Sequence, residues 1–149
     1  MSAALSARVS GLLRAGVPAL VLSVGEDGWP HAAMTWAVAR APEVVRFIVD
    51  DDSTTQRNLR RDGRASLQIV GREDVVALVK GTARERRARV AAASFPMALW
   101  ELAVADVKDQ SWGPVAVSPL QYEWRGPEAA ALRRMEDAVL AELREWPGG

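Results

Sequence analysis

The sequence predicts an α+β protein, mostly β, built around a six-stranded antiparallel barrel with flanking helices. Short apolar runs, separated by turns rich in glycine, proline and aspartate, occupy most of the chain. Because the links between consecutive runs are short, we expect the strands to pair antiparallel. The 149 residues are enough for one domain, and we expect a single domain over 1–149.

The first elements follow from local patterns. Apolar residues at helical spacing predict a helix over 3–15, which Gly16 ends. The run from Gly25 to Gly28 is typical of a hairpin turn, and Gly81 is a position where we expect a bulge. Six strands are predicted within a barrel that spans about 17–125, at residues 19–24, 29–38, 44–49, 64–70, 74–83 and 115–124.

Three further segments are predicted to be helical. Ser53 or Thr54 can cap a short helix in the middle of the chain. Residues 84–109 carry an apolar stripe at helical spacing and are expected to form a helix that is interrupted near Pro96. A last helix is expected over 127–146, because proline is favoured in the first helical turn.

Composition narrows the possible functions. Basic and acidic residues number 19 each, which argues against binding nucleic acid through overall positive charge. The absence of cysteine excludes disulfides and thiolate chemistry, and a single histidine excludes a His-rich metal site within one chain. No apolar run is long enough to cross a membrane, and no signal-peptide pattern is present, so we expect a cytoplasmic protein.

Two predicted strands suggest self-association. Residues 19–24 and 75–79 are almost continuously apolar, and such strands need cover on both faces. The barrel core covers one face, and a helix or a second subunit would cover the other. We therefore predict a homodimer.

Two polar features have simple structural explanations. His31 lies on a predicted strand with no acidic residue nearby to orient it, so an ordinary strand histidine is the simpler interpretation than an acid or base. Asp50, Asp51 and Asp52 could bind a hard cation, but a solvated turn that caps the next helix explains them better. No metal site and no catalytic residue is predicted.

Arginine clusters are the strongest indication of a ligand. The clusters are Arg57, Arg60, Arg61 and Arg64, and Arg84, Arg86, Arg87 and Arg89. Solvated faces balanced by nearby carboxylates would explain both. The first cluster, however, follows the hydroxyl run Ser53–Thr55 at a predicted helix start. Hydroxyls, free backbone N–H groups and guanidinium groups together suit a phosphate, so a phosphorylated cofactor is the expected ligand there.

Two of the six tryptophans are candidates for stacking on a flat ring. Trp36 lies on a predicted strand and Trp112 in a loop that contains Gly113 and Pro114. Packing in the core or at an interface is the simpler interpretation of each, and both alternatives stay open.

The order of several segments is informative. They are LSVGEDGWPH at 22–31, VRFIV at 45–49, STTQRNL at 53–59, RASL at 64–67, VKGTA at 79–83 and PLQYEW at 119–124. Taken together, over roughly 17–125, this order resembles the pyridoxamine 5'-phosphate oxidase-like family of FMN-binding split β-barrels. No single segment would suffice.

The resemblance implies a homodimer with two FMN sites at the subunit interface, where a hydride passes through the flavin ring. It places one strand segment and one following turn against the cofactor, and it brings a loop tryptophan, of the same subunit or of the partner, toward it. The cofactor-binding residues implied are Met34, Thr35, Trp36, Val49, Ser53, Thr54, Thr55, Arg57, Asn58 and Trp112.

The sequence also departs from the family pattern. Thr54 and Thr55 stand where many relatives carry an Arg-Lys pair for the phosphate, and Ala33 and Val38 replace the Arg and Lys that bracket the flavin strand in the oxidase itself. Each lost charged hydrogen bond costs about 1.5–3 kcal/mol. Nearby arginines, Arg57 among them, could compensate, but pyridoxamine phosphate oxidase activity is not expected.

Three functional hypotheses follow. The first is an FMN-dependent oxidoreductase that acts on a small molecule of unknown identity. The second is a split barrel that binds a flavin or another ligand without turnover, or that has lost its flavin. The third is a reductase that uses the deazaflavin F420 instead of FMN.

Overall fold

The computed structural model describes residues 3–148. Within that range six antiparallel strands close into a barrel in the order β1-β2-β3-β6-β5-β4. The strands are β1 (Val17–Val24), β2 (Pro30–Ala41), β3 (Val44–Asp50), β4 (Arg64–Val70), β5 (Val76–Arg87) and β6 (Met97–Asp109). The helices are α1 (Ala7–Arg14), α2 (Thr54–Arg61) and α3 (Ala129–Glu145). The predicted six-stranded antiparallel barrel with flanking helices is confirmed.

Two apolar clusters hold the fold together. The inner cluster fills the barrel with alternate residues of every strand, among them Val21, Phe47 and Leu67. The outer cluster lies between α3 and the outward faces of β2, β3 and β6, where Val38 and Val139 are fully buried. The apolar stripe of α3 therefore covers one side of the barrel.

The predicted helix over 84–109 is wrong, because most of this segment belongs to β5 and β6. Residues 97–102 of β6 are all buried, since Ala98, Trp100 and Leu102 face the inner cluster while Met97 and Leu99 face the outer one. A strand that is apolar on both faces has no alternating pattern, and its spacing then also matches a helix.

The predicted strand over 115–124 is also wrong. This segment carries no strand and contacts the barrel through isolated bonds, such as Leu120 N–H to the Val70 carbonyl at 2.9 Å and Val117 N–H to Asp74 Oδ1 at 2.7 Å. Pro119 has no N–H to donate, which discourages a regular ladder. The segment crosses the outside of the barrel toward α3, and we call residues 110–124 the crossing segment.

The cap of α2, the bulge at Gly81 and the last helix lie at or close to their predicted positions. Ser53 is the N-cap of α2, and the strand register shifts between Lys80 and Gly81, as a bulge requires. The last helix begins at Ala129, two residues after Pro127. In the range that the structure describes, no helix is long and apolar enough to cross a membrane.

Candidate functional site

The barrel opens between β2 and β3. Their ladder runs from Ala41 only as far as Ala37 opposite Phe47. Beyond that pair, the Thr35 hydroxyl forms hydrogen bonds with both backbone groups of Ile48. It donates to the carbonyl at 2.7 Å and accepts from the N–H at 3.2 Å. A side chain thus replaces the next ladder bonds, and the two strands separate into a crevice.

The helix α2 closes the end of the barrel beside this crevice. The Ser53 Oγ atom accepts from the Gln56 N–H at 3.1 Å, and the Gln56 amide donates to Asp51 Oδ1 at 2.9 Å. The buried amide of Asn58 donates to Ser23 Oγ at 3.0 Å, which fixes α2 to β1. The acidic run before α2 is therefore part of a capped turn, as its simpler interpretation predicted.

A cationic pocket of about 550 Å³ lies between α2 and the turn that joins β1 to β2. Arg57 and Arg61 of α2 line it, with His31 of β2. The Arg57 guanidinium donates to Thr54 Oγ1 and to the Asp52 carbonyl, both at 3.2 Å, and Arg61 donates to Asn58 Oδ1 at 3.2 Å. These bonds hold two guanidinium groups in place at the start and the side of α2.

Acidic residues share this pocket. Glu26 and Asp27 line it from the turn, next to the largely exposed Trp29. Asp27 Oδ1 is already engaged, because it accepts from the Trp29 N–H at 3.0 Å. The negative charges lie on the turn and the arginines on the helix.

An apolar pocket of about 350 Å³ lies in the crevice between β2 and β3. We call it the Tyr122 pocket. It is lined by Met34, Thr35, Trp36, Ile48, Asp50, Phe95, Met97, Tyr122 and Trp124. Met34 is half exposed and Phe95 nearly so, which leaves two large apolar side chains at the surface. A small cavity of about 40 Å³ adjoins the Tyr122 pocket, because Met34 and Asp50 line both, and Ser53 and Thr55 also line it.

A chain of hydrogen bonds crosses the back of the Tyr122 pocket. Trp36 Nε1 donates to the Tyr122 hydroxyl, which donates to Glu136 Oε1 on α3. Trp124 Nε1 donates to the same carboxylate oxygen at 3.2 Å. Burial, the hydrogen bond to Glu136 and its negative charge raise the pKa of Tyr122 above the ordinary value of 10.0. The phenol therefore stays protonated.

The structure places nine of the ten sequence-predicted site residues in the lining of these cavities. Met34, Thr35 and Trp36 line the Tyr122 pocket; Val49, Ser53 and Thr55 line the small cavity beside it; and Thr54, Arg57 and Asn58 line the cationic pocket. Trp112 lines none of these three and is 69% exposed.

Trp36 and Trp112 also differ in what they contact. The Trp36 ring packs edge-on against Trp124 with ring centroids 6.4 Å apart, and its N–H is engaged by Tyr122. Trp36 is therefore mostly buried, whereas Trp112 is free to contact another molecule.

Sequence reasoning missed the residues that approach from far along the chain. Phe95, Met97, Tyr122 and Trp124 reach the crevice from the loop before β6, from β6 itself and from the crossing segment. The PLQYEW motif contributes to the family resemblance and to a predicted strand, but neither of these predicts a role for its tyrosine. No local pattern shows that α3 supplies Glu136 to that tyrosine.

Metal ligands are not brought together. Among residues 3–148, no group of three or more histidine, aspartate or glutamate side chains could hold a metal ion.

Two arginines of the second cluster form ion pairs. Arg86 pairs with Glu101 at 2.7 Å and Arg87 with Glu142 at 3.2 Å. The first of these ion pairs joins β5 to β6, and the second joins β5 to α3.

Known structures share this architecture at low sequence identity. An F420 reductase aligns with a TM-score of 0.59 and 14% identity, covering 68% of this chain and 96% of that one. A candidate pyridoxamine 5'-phosphate oxidase from Lactobacillus delbrueckii aligns with a TM-score of 0.60 and 16% identity, covering 72% and 95%. HupZ from Group A Streptococcus aligns with a TM-score of 0.61 and 17% identity, covering 73% and 96%. Identities this low show the fold alone.

The sequence itself matches a family model. No curated protein matches this chain, but the model described as pyridoxamine 5'-phosphate oxidase matches residues 6–135. This span includes all six strands, α2 and the crossing segment. The chain belongs to the pyridoxamine 5'-phosphate oxidase family.

Proposed function

We propose that this chain is a flavin-dependent oxidoreductase that binds FMN in the crevice between β2 and β3 and acts on a small molecule. The observation that carries the proposal is the early end of the β2–β3 ladder at Ala37 and Phe47. It opens the crevice that holds the apolar pocket, and a capped helix start with Arg57 lines a second pocket beside the start of β2. Family membership and the fold support the same cofactor class.

The residues present fit the phosphate of FMN through arginine rather than through the usual Arg-Lys pair. A phosphate group carries about −1.5 to −2 charges at neutral pH. Arg57 and Arg61 line one pocket with Thr54, and the first two N–H groups of α2, those of Thr54 and Thr55, have no acceptor within the helix, whereas that of Gln56 donates to Ser53 Oγ. Two guanidinium groups and a helix start together match such a charge.

The ring of FMN fits the Tyr122 pocket. Met34 and Ile48 supply apolar contacts, and Thr35 holds the strands apart. When bound, FMN supplies the hydride-transferring ring, while the protein orients it and excludes water. In this proposal the chain that links ring and phosphate passes the small cavity beside Ser53.

A homodimer is part of the proposal. By strand register, Met34, Leu20, Gln68 and Leu78 form one row across the outer face of β2, β1, β4 and β5. The two leucines remain partly exposed there. A second copy on this row would bury them and would lie directly beside Met34, at the edge of the proposed ring site.

A second candidate cofactor is F420, and the cationic pocket favours it. F420 carries an acidic tail beyond its phosphate, whereas FMN ends at the phosphate. Arg57 and Arg61 line a cavity of about 550 Å³ at the start of α2, large enough for such a tail, although Glu26 and Asp27 in the same lining oppose part of the attraction of the arginines. The F420 reductase of the same fold is consistent with this alternative.

Titration of purified protein with FMN and with F420 distinguishes these possibilities. We expect saturable FMN binding at one per chain, seen as quenched flavin fluorescence, in a species of twice the chain mass by light scattering. Preference for F420 would select the second candidate. Binding of neither would contradict redox function and leave a barrel that binds another ligand.

A further inference from the structure

A further cavity, of about 500 Å³, lies on the outer face of the barrel, where β1, β4 and β5 run side by side. We call it the Lys80 pocket. Among the residues that the structure describes, it shares only Pro30 with the cationic pocket and no lining residue with the Tyr122 pocket. It is therefore separate from the proposed cofactor site.

Four polar side chains of β4 and β5 line this pocket together. Ser66 is the Cα partner of Lys80, and Arg64 is the Cα partner of Thr82. On each strand the two residues are separated by one position, so all four side chains lie on the same face of the sheet. Cross-strand partners have Cβ atoms roughly 4.5–5.5 Å apart, and diagonal neighbours are roughly 7–8 Å apart. Two cations and two hydroxyls can therefore reach one ligand group.

Most of these donors are unused within the chain. In the described range 3–148, the Lys80 ammonium and the hydroxyls of Ser66 and Thr82 have no hydrogen-bond or ion-pair partner. Arg64 binds Asp62 through Nε at 3.0 Å and Nη2 at 2.6 Å, which orients the guanidinium group and leaves Nη1 unengaged. The pocket thus offers donors that only solvent or a ligand can use.

The charge of the lining favours an anion. Within residues 3–148 no acidic residue lines the Lys80 pocket, whereas two line the cationic pocket. Two carboxylates lie outside the lining. Asp62 neutralises part of the charge of Arg64, and Asp106 is the Cα partner of Lys80 on β6 but forms no ion pair with it. Lys80 is therefore the cation most available to a ligand.

Apolar side chains form the rest of the pocket. Leu22 and Val24 of β1 line it, with Pro30 at the start of β2, and Leu22 is the Cα partner of Ser66. Leu22 and Val24 are both partly exposed, so a ligand that covers them gains free energy from the burial of apolar surface. Leu22 is two residues from Leu20, so the pocket adjoins the row proposed to meet a second copy.

We propose that the Lys80 pocket is a second ligand site, which binds a small phosphate monoester whose apolar portion covers Leu22 and Val24. A phosphate group carries about −1.5 to −2 charges at neutral pH and has three acceptor oxygens. The lining supplies a lysine, one free arm of an arginine and two hydroxyls to those oxygens. The site uses no residue of the crevice and goes beyond the proposed function.

Phenyl phosphate tests the proposal on the full chain. Followed by NMR on isotope-labelled protein, it should shift the backbone amide signals of Ser66, Lys80 and Thr82 saturably, with one dissociation constant. The signals of Thr54 and Arg57 report binding at the cationic pocket separately. Shifts confined to Thr54 and Arg57, or no saturable shift at Ser66 and Lys80, overturn the inference.

Benzyl alcohol is the neutral probe, because it has a similar ring and no charge. It should bind at least about tenfold more weakly than phenyl phosphate, since it lacks the charged hydrogen bonds. Equal affinity of the two probes would show that apolar contact alone holds the ring, and it would contradict a phosphate site.

The two lysines of the chain give a matched pair of variants. Lys80→Gln should weaken phenyl phosphate binding about fivefold, the effect of losing one exposed charge pair. Lys108→Gln is the control, because Lys108 is also exposed but does not line the pocket, and it should bind phenyl phosphate like the wild type. Equal weakening in both variants would show attraction by overall charge and overturn the site.

FMN titration of Lys80→Gln separates this inference from the proposed function. FMN affinity should be unchanged, because Lys80 lines neither the Tyr122 pocket nor the cationic pocket. Weaker FMN binding in this variant would contradict a separate second site. Phenyl phosphate binding at Ser66 and Lys80 in protein that binds no flavin would support this inference and reject the cofactor.

Discussion

The Nε atom of Arg46 on β3 donates to Oε2 of Glu101 on β6 at 3.0 Å, beneath the end of α3. Both residues are buried, and Arg46 also donates to the carbonyls of Leu143 and Trp146, the former at 2.9 Å. The Trp146 ring lies 5.4 Å from the guanidinium carbon of Arg46. One arginine thus joins two strands to the last turn of a helix.

Arg46→Leu should lower the free energy of unfolding by about 3 kcal/mol, because it leaves a buried carboxylate and two helix-end carbonyls without this donor. Urea denaturation measures the loss. Arg60→Leu is the control: Arg60 pairs with Glu85 at 2.9 Å, but its side chain is 56% exposed. The control should cost less than about 1 kcal/mol. Equal losses would contradict a special role for Arg46.

Gly81→Ala should destabilise the barrel. A Cβ at this position would overlap the carbonyl oxygen of Ala103 on the neighbouring strand β6. The backbone of β6 could move away only if the hydrogen bonds between β5 and β6 were broken. We expect a loss of at least about 2 kcal/mol. Gly11 lies inside α1 with nothing within 4 Å of an added Cβ, so Gly11→Ala should stabilise by about 0.5–1 kcal/mol. Thermal unfolding of both variants tests the opposite signs.

The sequence predicts well those features that depend on neighbours along the chain. The cap at Ser53, the bulge at Gly81 and the antiparallel order of the strands each follow from a few adjacent residues. Prediction from the sequence fails where contacts between distant elements determine the secondary structure. Strand β6 is buried on both faces by α3 and the barrel core, which removes the alternation by which strands are recognised.

The residues of the candidate site also divide into those that local sequence patterns predict and those that only long-range contacts bring to the site. The helix start and Arg57 follow from a local motif, as does the β2 segment around Thr35. The contact between Trp36 and Tyr122 joins residues 86 positions apart, and the bond from Tyr122 to Glu136 depends on where α3 lies. Long-range contacts of this kind leave no periodic trace in the sequence.

Arg57→Ala should weaken FMN binding at least tenfold. The change removes the guanidinium group beside Thr54 and with it one charged hydrogen bond to the phosphate, worth about 1.5–3 kcal/mol. Fluorescence titration gives the dissociation constant. Arg60→Ala removes an arginine of the same helix that pairs with Glu85 and does not line the pocket, so it should bind FMN like the wild type. Unchanged affinity in Arg57→Ala would remove Arg57 from the site.

Asp62 gives a defined acid dependence. The side-chain hydrogen bond from Arg64, helped by the Arg64 N–H, lowers the pKa of Asp62 from 3.8 to about 2. A carboxyl whose folded pKa is depressed stabilises the fold above its unfolded pKa and loses that effect as pH falls through the folded one. The difference in melting temperature between the wild type and Asp62→Asn should therefore be constant above about pH 5 and vanish between pH 4 and 2. A difference that persists at pH 2 would show that the asparagine acts through packing instead.

Tyr122 is the only tyrosine of the chain, so its ionisation can be followed without interference from other phenols. Burial and the bond to Glu136 raise its pKa above 10.0, and the native protein should show no tyrosinate absorbance at a pH where the urea-unfolded protein has fully titrated. A raised folded pKa means that this contribution to stability is complete below pH 10 and is lost only as pH rises through the folded value. Glu136→Gln should move the native titration back toward pH 10, because it removes the negative charge beside the phenol. A wild-type titration that coincides with that of the unfolded chain would show that Tyr122 does not donate to Glu136.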